Sequence, residues 1–271
     1  MASYLETAVD IAREAGSLLS HYYERRVAFE LKGDFDLVTE ADRASEKLVV
    51  ERLRSHFPNH SIVAEEGGNY EGTSEFRWYV DPLDGTTNFA HGFPMFNVTL
   101  AVEQAGELLA GVIFDPLRQE MFAAERGGGA YLNNRRIHVS KAPRMEDSLF
   151  ATGFPSARRH KSINVHFFHQ VAMITHGVRR GGSAALDLAY VASGRLEAFW
   201  EFGLNPWDQA AGILLVHEAG GRCSGMKGEP VSVRGPYLLA SNGTIHAQTL
   251  ELFDDVFNGR YRVPLPQISQ P

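Results

Sequence analysis

The sequence predicts a fold of helices and sheets in two unlike halves, an α+β half followed by an α/β half. Three observations predict it. Two stretches with apolar residues at helical spacing open the chain. A series of short apolar runs separated by tight turns follows. From about residue 147, strand-like and helix-like segments alternate. Consecutive strands with short turns imply an antiparallel sheet. Strand–helix alternation implies a sheet with helices packed on both faces. With 271 residues, 44% of them hydrophobic, the chain can bury a real core as one large domain or two smaller ones.

Each element has its own signal. Ser3 and Glu6 make a capping-box pattern, and Leu5, Ala8, Ile11, Ala12, Ala15, Leu18, Leu19 and Tyr22 recur at helical period, predicting a helix over 4–24. Thr39, with Asp42 three residues on, starts a second helix that ends before Pro58. Ser61–Ala64 and Trp78–Val80 read as strands, with Asp81 and Asp84 on a turn for which Pro82 is preset. Val98–Glu103, Leu108–Phe114, Glu120–Glu125 and the Tyr131–Val139 stretch continue the strands. In the second half, Ser148–Thr152, Leu196–Trp200 and Tyr237–Ser241 are strand-like. Helices are expected at 161–175, Ser183–Ala192, Gln209–Ala219 and Thr244–Phe257, with Asp208 capping the third of these. The expected division is an N-terminal subdomain over 1–143, a C-terminal one over 144–259 and a flexible tail over 260–271.

Charge and cysteine content exclude several classes. A formal charge of −7 argues against a generic nucleic-acid binder, which is usually basic. Cys223 is the only cysteine, so no intrachain disulfide can form. The chain start lacks a basic-then-apolar leader pattern, and no apolar run approaches the ~20 residues that span a bilayer. A cytoplasmic protein is the expectation.

The chemistry gathers in acids at predicted strand ends. Glu65 follows one strand, Asp81 and Asp84 another, and Asp208 lies between a strand and a helix. Gly85-Thr86-Thr87 follows Asp84 where a helix can begin, a place suited to an anion. Carboxylates, with the Leu83 carbonyl available between the aspartates, are oxygen-only donors that suit Mg²⁺ or Mn²⁺ rather than a structural zinc site. Two such cations about 3.5–4 Å apart can clamp the attacking and leaving oxygens of a phosphoryl displacement. Singly, each acid reads as a surface charge or a cap; together, beside Gly85-Thr86-Thr87, they read as a metal-assisted phosphate site.

These motifs resemble a known family. Asp81-Pro82-Leu83-Asp84-Gly85-Thr86-Thr87-Asn88-Phe89 is similar to the first signature of the inositol monophosphatase family. Trp207-Asp208-Gln209-Ala210-Ala211-Gly212, followed by Glu218-Ala219-Gly220-Gly221, resembles its second. Asp36–Asp42 and Ala64-Glu65-Glu66-Gly67 match in the family's order, so the resemblance runs to about Asn258. It implies a layered αβαβα sandwich of the inositol monophosphatase / fructose-1,6-bisphosphatase type, assembled as a homodimer.

The resemblance also implies roles. Glu65, Asp81 and the Leu83 carbonyl would hold one Mg²⁺, and Asp81, Asp84 and Asp208 a second. A third, weaker cation would sit near Glu65. Gly85 and Thr86 amides would take phosphate oxygens, and Thr86 with Asp42 would orient and activate water. Gly182, Ser183, Ala184 and Glu201 would meet substrate hydroxyls. Glu66 would support Glu65, and Lys32 would lie in a loop that helps order metal. The implied reaction is Mg²⁺-dependent, lithium-sensitive hydrolysis of myo-inositol 1-phosphate and related sugar or polyol phosphates. Related enzymes on this scaffold take fructose 1,6-bisphosphate, phosphoadenosine phosphate or histidinol phosphate, and Arg158, Arg159, Lys161, Arg179 and Arg180 are candidate cations for a second phosphate. Some bacterial members also bind the transcription machinery in ribosomal RNA antitermination, and Arg179–Asp187 looks like that branch.

Overall fold

The computed structural model describes residues 3–25, 29–31, 37–154 and 161–265. Lys32, Asp36, Arg158 and Arg159 lie outside them. The chain opens with α1 (Tyr4–Arg25), a short hairpin of β1 (Phe29–Leu31) and β2 (Leu37–Thr39), and α2 (Glu40–His56). Thr39 caps α2 where the sequence starts it, and its amide donates back to Asp42 at 2.7 Å, closing a capping box.

Eight strands then form one sheet: β3 (Ser61–Ala64), β4 (Gly68–Tyr70), β5 (Phe76–Asp84), β6 (Asn97–Gln104), β7 (Glu107–Asp115), β8 (Glu120–Glu125), β9 (Gly129–Leu132) and β10 (Arg135–Arg136). Their order is β10-β9-β8-β7-β6-β5-β3-β4, antiparallel except where β3 runs parallel to β5. The short helix α3 (Thr86–Ala90) follows β5. The tight turns are read correctly: Ala105-Gly106 and Asn133-Asn134 all take positive φ, as two-residue hairpin turns require.

The second half supplies β11 (Leu149–Thr152), α4 (Asn164–Ile174), β12 (Gly177–Arg179), α5 (Ala184–Ala192), β13 (Ala198–Phe202), α6 (Pro206–Glu218), β14 (Arg222–Ser224), β15 (Tyr237–Ser241) and α7 (His246–Phe257). Its sheet runs β12-β11-β13-β15-β14, with β11 parallel to both its neighbours and the other pairs antiparallel. β12 and β14, both three residues long, carry too little pattern to be seen in the sequence.

Period-2 alternation sorts the side chains into layers. In the large sheet, Trp78, Val80, Leu100 and Val112 pack with α1 and α2, while Tyr79, Ala101 and Ile113 face α5 and α6. In the small sheet, Ala151, Phe199 and Ala240 face α5 and α6 from the other side, and Phe150, Trp200 and Leu239 pack with α4 and α7. The result is five layers, αβαβα, with α5 and α6 buried between the sheets. That burial explains why α5 is apolar nearly all round. Beyond Gly259, where a flexible tail is expected, the first residues are docked: Arg260 and Arg262 pair with Asp255, and Gln170 exchanges two hydrogen bonds with Val263. Among the described residues no helix is long and apolar enough to cross a membrane.

Candidate active site

The site is built on an irregularity in β5. Asp81 and Asp84 belong to the strand, pairing with Thr99 and Asn97 of β6, and not to a turn as the sequence suggests. In a regular strand, residues three apart point to opposite faces. A β-bulge between Asp81 and Asp84 adds one residue against β6, so both aspartates fall on the face shared by Thr99 and Asn97. Pro82 sits in the bulge, where a missing N–H costs no ladder bond. Its carbonyl accepts the Ser45 hydroxyl from α2 at 2.8 Å.

Asp84 is held hard. Its Oδ2 accepts the Ser183 hydroxyl at 2.6 Å, the Asn97 amide at 2.9 Å and the Ala185 N–H at 2.9 Å. Asn97, wholly buried, also donates to Ser183 Oγ at 2.9 Å and accepts the Thr99 hydroxyl at 2.6 Å. β5, β6 and the start of α5 are thereby tied to one carboxylate oxygen. Asp81 is 3% exposed and accepts the Leu83 N–H at 3.0 Å. Gly85 follows with φ of 93°, and a side chain there would press on the Met95 carbonyl, so only glycine suits the position. Thr86 then opens α3, with its hydroxyl 3.0 Å from both Asp42 Oδ1 and the Leu83 carbonyl. Asn88 ties α3 to the approach of α5, donating to Gly181 O at 2.9 Å.

Glu65, Asp84, Ser183, Ala184, Glu201 and Asp208 line one cavity of about 310 Å³, and Gly182 lies on its wall. Asp81, Asp42 and Thr86 are not among the residues that line it. Glu66 points to a separate hollow beside Arg43 and Tyr70, and its amide donates to Glu46 at 2.7 Å. Asp208 is the third residue of α6 and not its cap. Asn205 precedes the helix, Pro206 begins it, and the Asp208 carboxylate accepts the Asn205 N–H at 2.6 Å. Of the candidate cations for a second phosphate, Arg180 is on the wall as well, and three further wall residues, Gly153, Asp187 and Asn205, are given no role by the sequence. A Cβ on Gly153 would land on the Glu201 carboxylate, so its lack of a side chain makes the room that Glu201 occupies.

Electrostatics follow from this crowding. Burial, and then the charges of Glu65, Asp84 and Asp208, hold the Asp81 carboxyl well above the usual range. Burial pushes Asp208 up to about 8, with Asp84 and Glu201 adding to it. Glu201 also rises to about 8 through burial and the Asp84 charge, against the pull of Arg180. Asp84 is raised by burial in spite of the hydrogen bonds it accepts from Ser183, Asn97 and the Ala185 and Ala184 N–H groups. As they stand, no three His, Cys, Asp or Glu side chains among the described residues are close enough to enclose an ion. The donor set still fits a hard cation in kind, because it is all oxygen, at least half-buried and short of compensating positive charge.

Comparison with known proteins agrees with this architecture. The profile of the inositol monophosphatase family matches residues 1–257. The chain is 46% identical over 252 residues to the Nus factor SuhB of Pseudomonas aeruginosa, covering 89% of this chain and 92% of that protein. It is 42% identical over 255 residues to the inositol-1-monophosphatase of Mesorhizobium japonicum, covering 92% and 96%. The crystal structure of the extragenic suppressor protein SuhB from Bartonella henselae superposes with a TM-score of 0.89 at 40% identity, over 93% of this chain and 98% of that one. With the layers, the order of the acidic motifs and the relatives in accord, the chain belongs to the inositol monophosphatase family.

Proposed function

We propose that this protein is a Mg²⁺-dependent phosphomonoesterase acting on myo-inositol 1-phosphate and similar polyol phosphates. The observation that carries the reading is the meeting of Glu65, just after β3, and Asp84 of β5 with Glu201 and Asp208 from the second half on one cavity. Glu65, Asp81, Asp84, Asp208 and the Leu83 carbonyl would hold Mg²⁺, with Mn²⁺ a chemical substitute. The bound cation supplies Lewis-acid polarisation of the phosphoryl group and neutralises the acids.

The protein's own groups do the rest. Asp42 accepts the Thr86 hydroxyl, leaving the Thr86 oxygen's lone pairs to orient a water and Asp42 as the destination of its proton. The Gly85 and Thr86 amides, at the start of α3, receive phosphate oxygens. Glu201, without a donor among the described residues, accepts hydrogen bonds from hydroxyls of the alcohol. Arg180 is the only basic residue among the described residues that line the cavity, which favours a monophosphate over a bisphosphate.

Phosphate release from a panel of phosphomonoesters, with and without Mg²⁺, tests the proposal. Inositol 1-phosphate, fructose 1,6-bisphosphate, phosphoadenosine phosphate and histidinol phosphate belong in it, alongside the Asp84→Asn protein. Mg²⁺-dependent turnover, led by inositol 1-phosphate and lost in the variant, is expected; silence on all four from folded protein overturns it.

The similarity to proteins named Nus factor SuhB supports a second, separate reading: docking onto a protein of the transcription machinery, in competition with a homodimer of this chain. It predicts that the Asp84→Asn protein keeps such binding, which co-purification measures.

A further inference from the structure

Asp187 is the fourth residue of α5, counted from the Ser183 cap, and it is 2% exposed. Its carboxylate lines the cavity beside Glu201, under the Gly181 turn, where a Cβ on Gly181 would come within 3.0 Å of Asp187 Oδ1. Among the described residues nothing donates a hydrogen bond to that carboxylate, and no cation pairs with it. An acid in a helix's first turn gains from the helix dipole, but that gain is available to an exposed side chain too. Burying a polar group without a donor costs free energy that the dipole alone does not offset. The missing donors therefore come from whatever fills the cavity.

Glu201 has the same lack of donors, and it comes from a different element, β13. Two acceptors from separate elements, side by side and both open to the cavity, match two hydroxyl groups on one molecule. Arg180, on the same wall, offsets their charge. We propose that Asp187 is a specificity-determining residue that accepts a hydrogen bond from a second hydroxyl of the leaving alcohol, so that with Glu201 it selects polyols carrying at least two free hydroxyls. The proposal rests on the phosphomonoesterase reading above.

The test compares kcat/KM for myo-inositol 1-phosphate with that for phenyl phosphate, which has no free hydroxyl, in the Mg²⁺-supplied protein and in Asp187→Ala and Asp187→Asn. The inositol-to-phenyl ratio is expected to fall about tenfold to a hundredfold in Asp187→Ala, the scale of a hydrogen bond to a charged group. The fall should lie mainly in KM. Asp187→Asn, which keeps one acceptor oxygen and the side chain's size, should fall less, and it carries the test by itself if the alanine protein does not fold. An unchanged ratio, whether activity is kept or lost equally on both substrates, overturns the inference and leaves the phosphomonoesterase reading intact. Parent protein that hydrolyses phenyl phosphate but not the polyol ester overturns the inference as well. Parent protein inactive on both removes the underlying reading and the inference together.

Discussion

The Thr86 hydroxyl lies 3.0 Å from Asp42 Oδ1, joining the first turn of α3 to the first turn of α2 across 44 residues of sequence. Asp42 is fully buried, and its other oxygen accepts the Thr39 amide at 2.7 Å and the Thr39 hydroxyl at 2.6 Å. One carboxylate thus starts a helix with one oxygen and holds the Thr86 hydroxyl with the other.

Asp42→Asn splits those duties, since an amide has only one acceptor oxygen. Steady-state kinetics should show kcat lowered about a hundredfold to ten-thousandfold with KM little changed, the range of a lost general base. Thermal unfolding should show a cost of about 0.5–2 kcal/mol if the cap is also weakened.

Asn97→Ala removes one of three donors from Asp84 Oδ2 and frees Ser183 to turn. Groups that orient a metal-binding carboxylate from behind are worth about tenfold to a hundredfold in metal affinity. Calorimetric titration of Mn²⁺ into substrate-free protein should show a weakening of that size. Unaltered Mn²⁺ affinity in folded Asn97→Ala would mean that Ser183 and Ala185 suffice.

Gly153→Ala should leave stability within about 1 kcal/mol of the parent, because the group it strikes is the mobile end of a side chain. Glu201 must then move. KM for a polyol phosphate is expected to rise about tenfold, the scale of one charge-assisted hydrogen bond, while the thermal midpoint stays nearly fixed. A large drop in that midpoint instead would show Gly153 to be a packing residue.

His246 sets a pH dependence of stability. It is fully buried, with its ring nitrogens 2.9 Å from Ser224 Oγ and 2.8 Å from Ser241 Oγ, and burial pushes it down to about 4 from 6.5. Between those values the unfolded chain binds a proton that the folded chain does not. This contribution is therefore complete above about pH 6.5 and is lost as the pH falls towards 4. The raised acids of the cavity act with the opposite sign, since the folded state binds their protons more tightly. The difference in thermal midpoint between the parent and His246→Gln isolates the histidine, and it should shrink as the pH falls from 7 towards 4.

Much of the fold is legible because its signals are local. Thr39 with Asp42 announces α2, and the turns at Ala105-Gly106 and Asn133-Asn134 announce hairpins. The acidic motif is legible as chemistry but not as geometry. Pro82 suggests a turn, and only the pairing with β6 reveals a bulged strand. Asp208 is displaced for a simpler reason: Pro206 is a stronger start signal than an acid two residues later. Asn97, Gly153 and Asp187 are single residues inside a strand, after a strand and inside a helix. No spacing marks them, because their partners come from distant elements that only the folded chain brings near. Lys32 and Asp36 lie outside the described residues, so their expected roles rest on the sequence.

Helix α6 packs on β5 through β9 with one side and on β14 and β15 with another. Both walls of the cavity are thus packed on a common spine among the described residues. A cavity built this way is not a cleft between two separately packed lobes. Sites assembled across such a spine discriminate by the shape and charge they already have, like a lock whose wards are fixed in the casting.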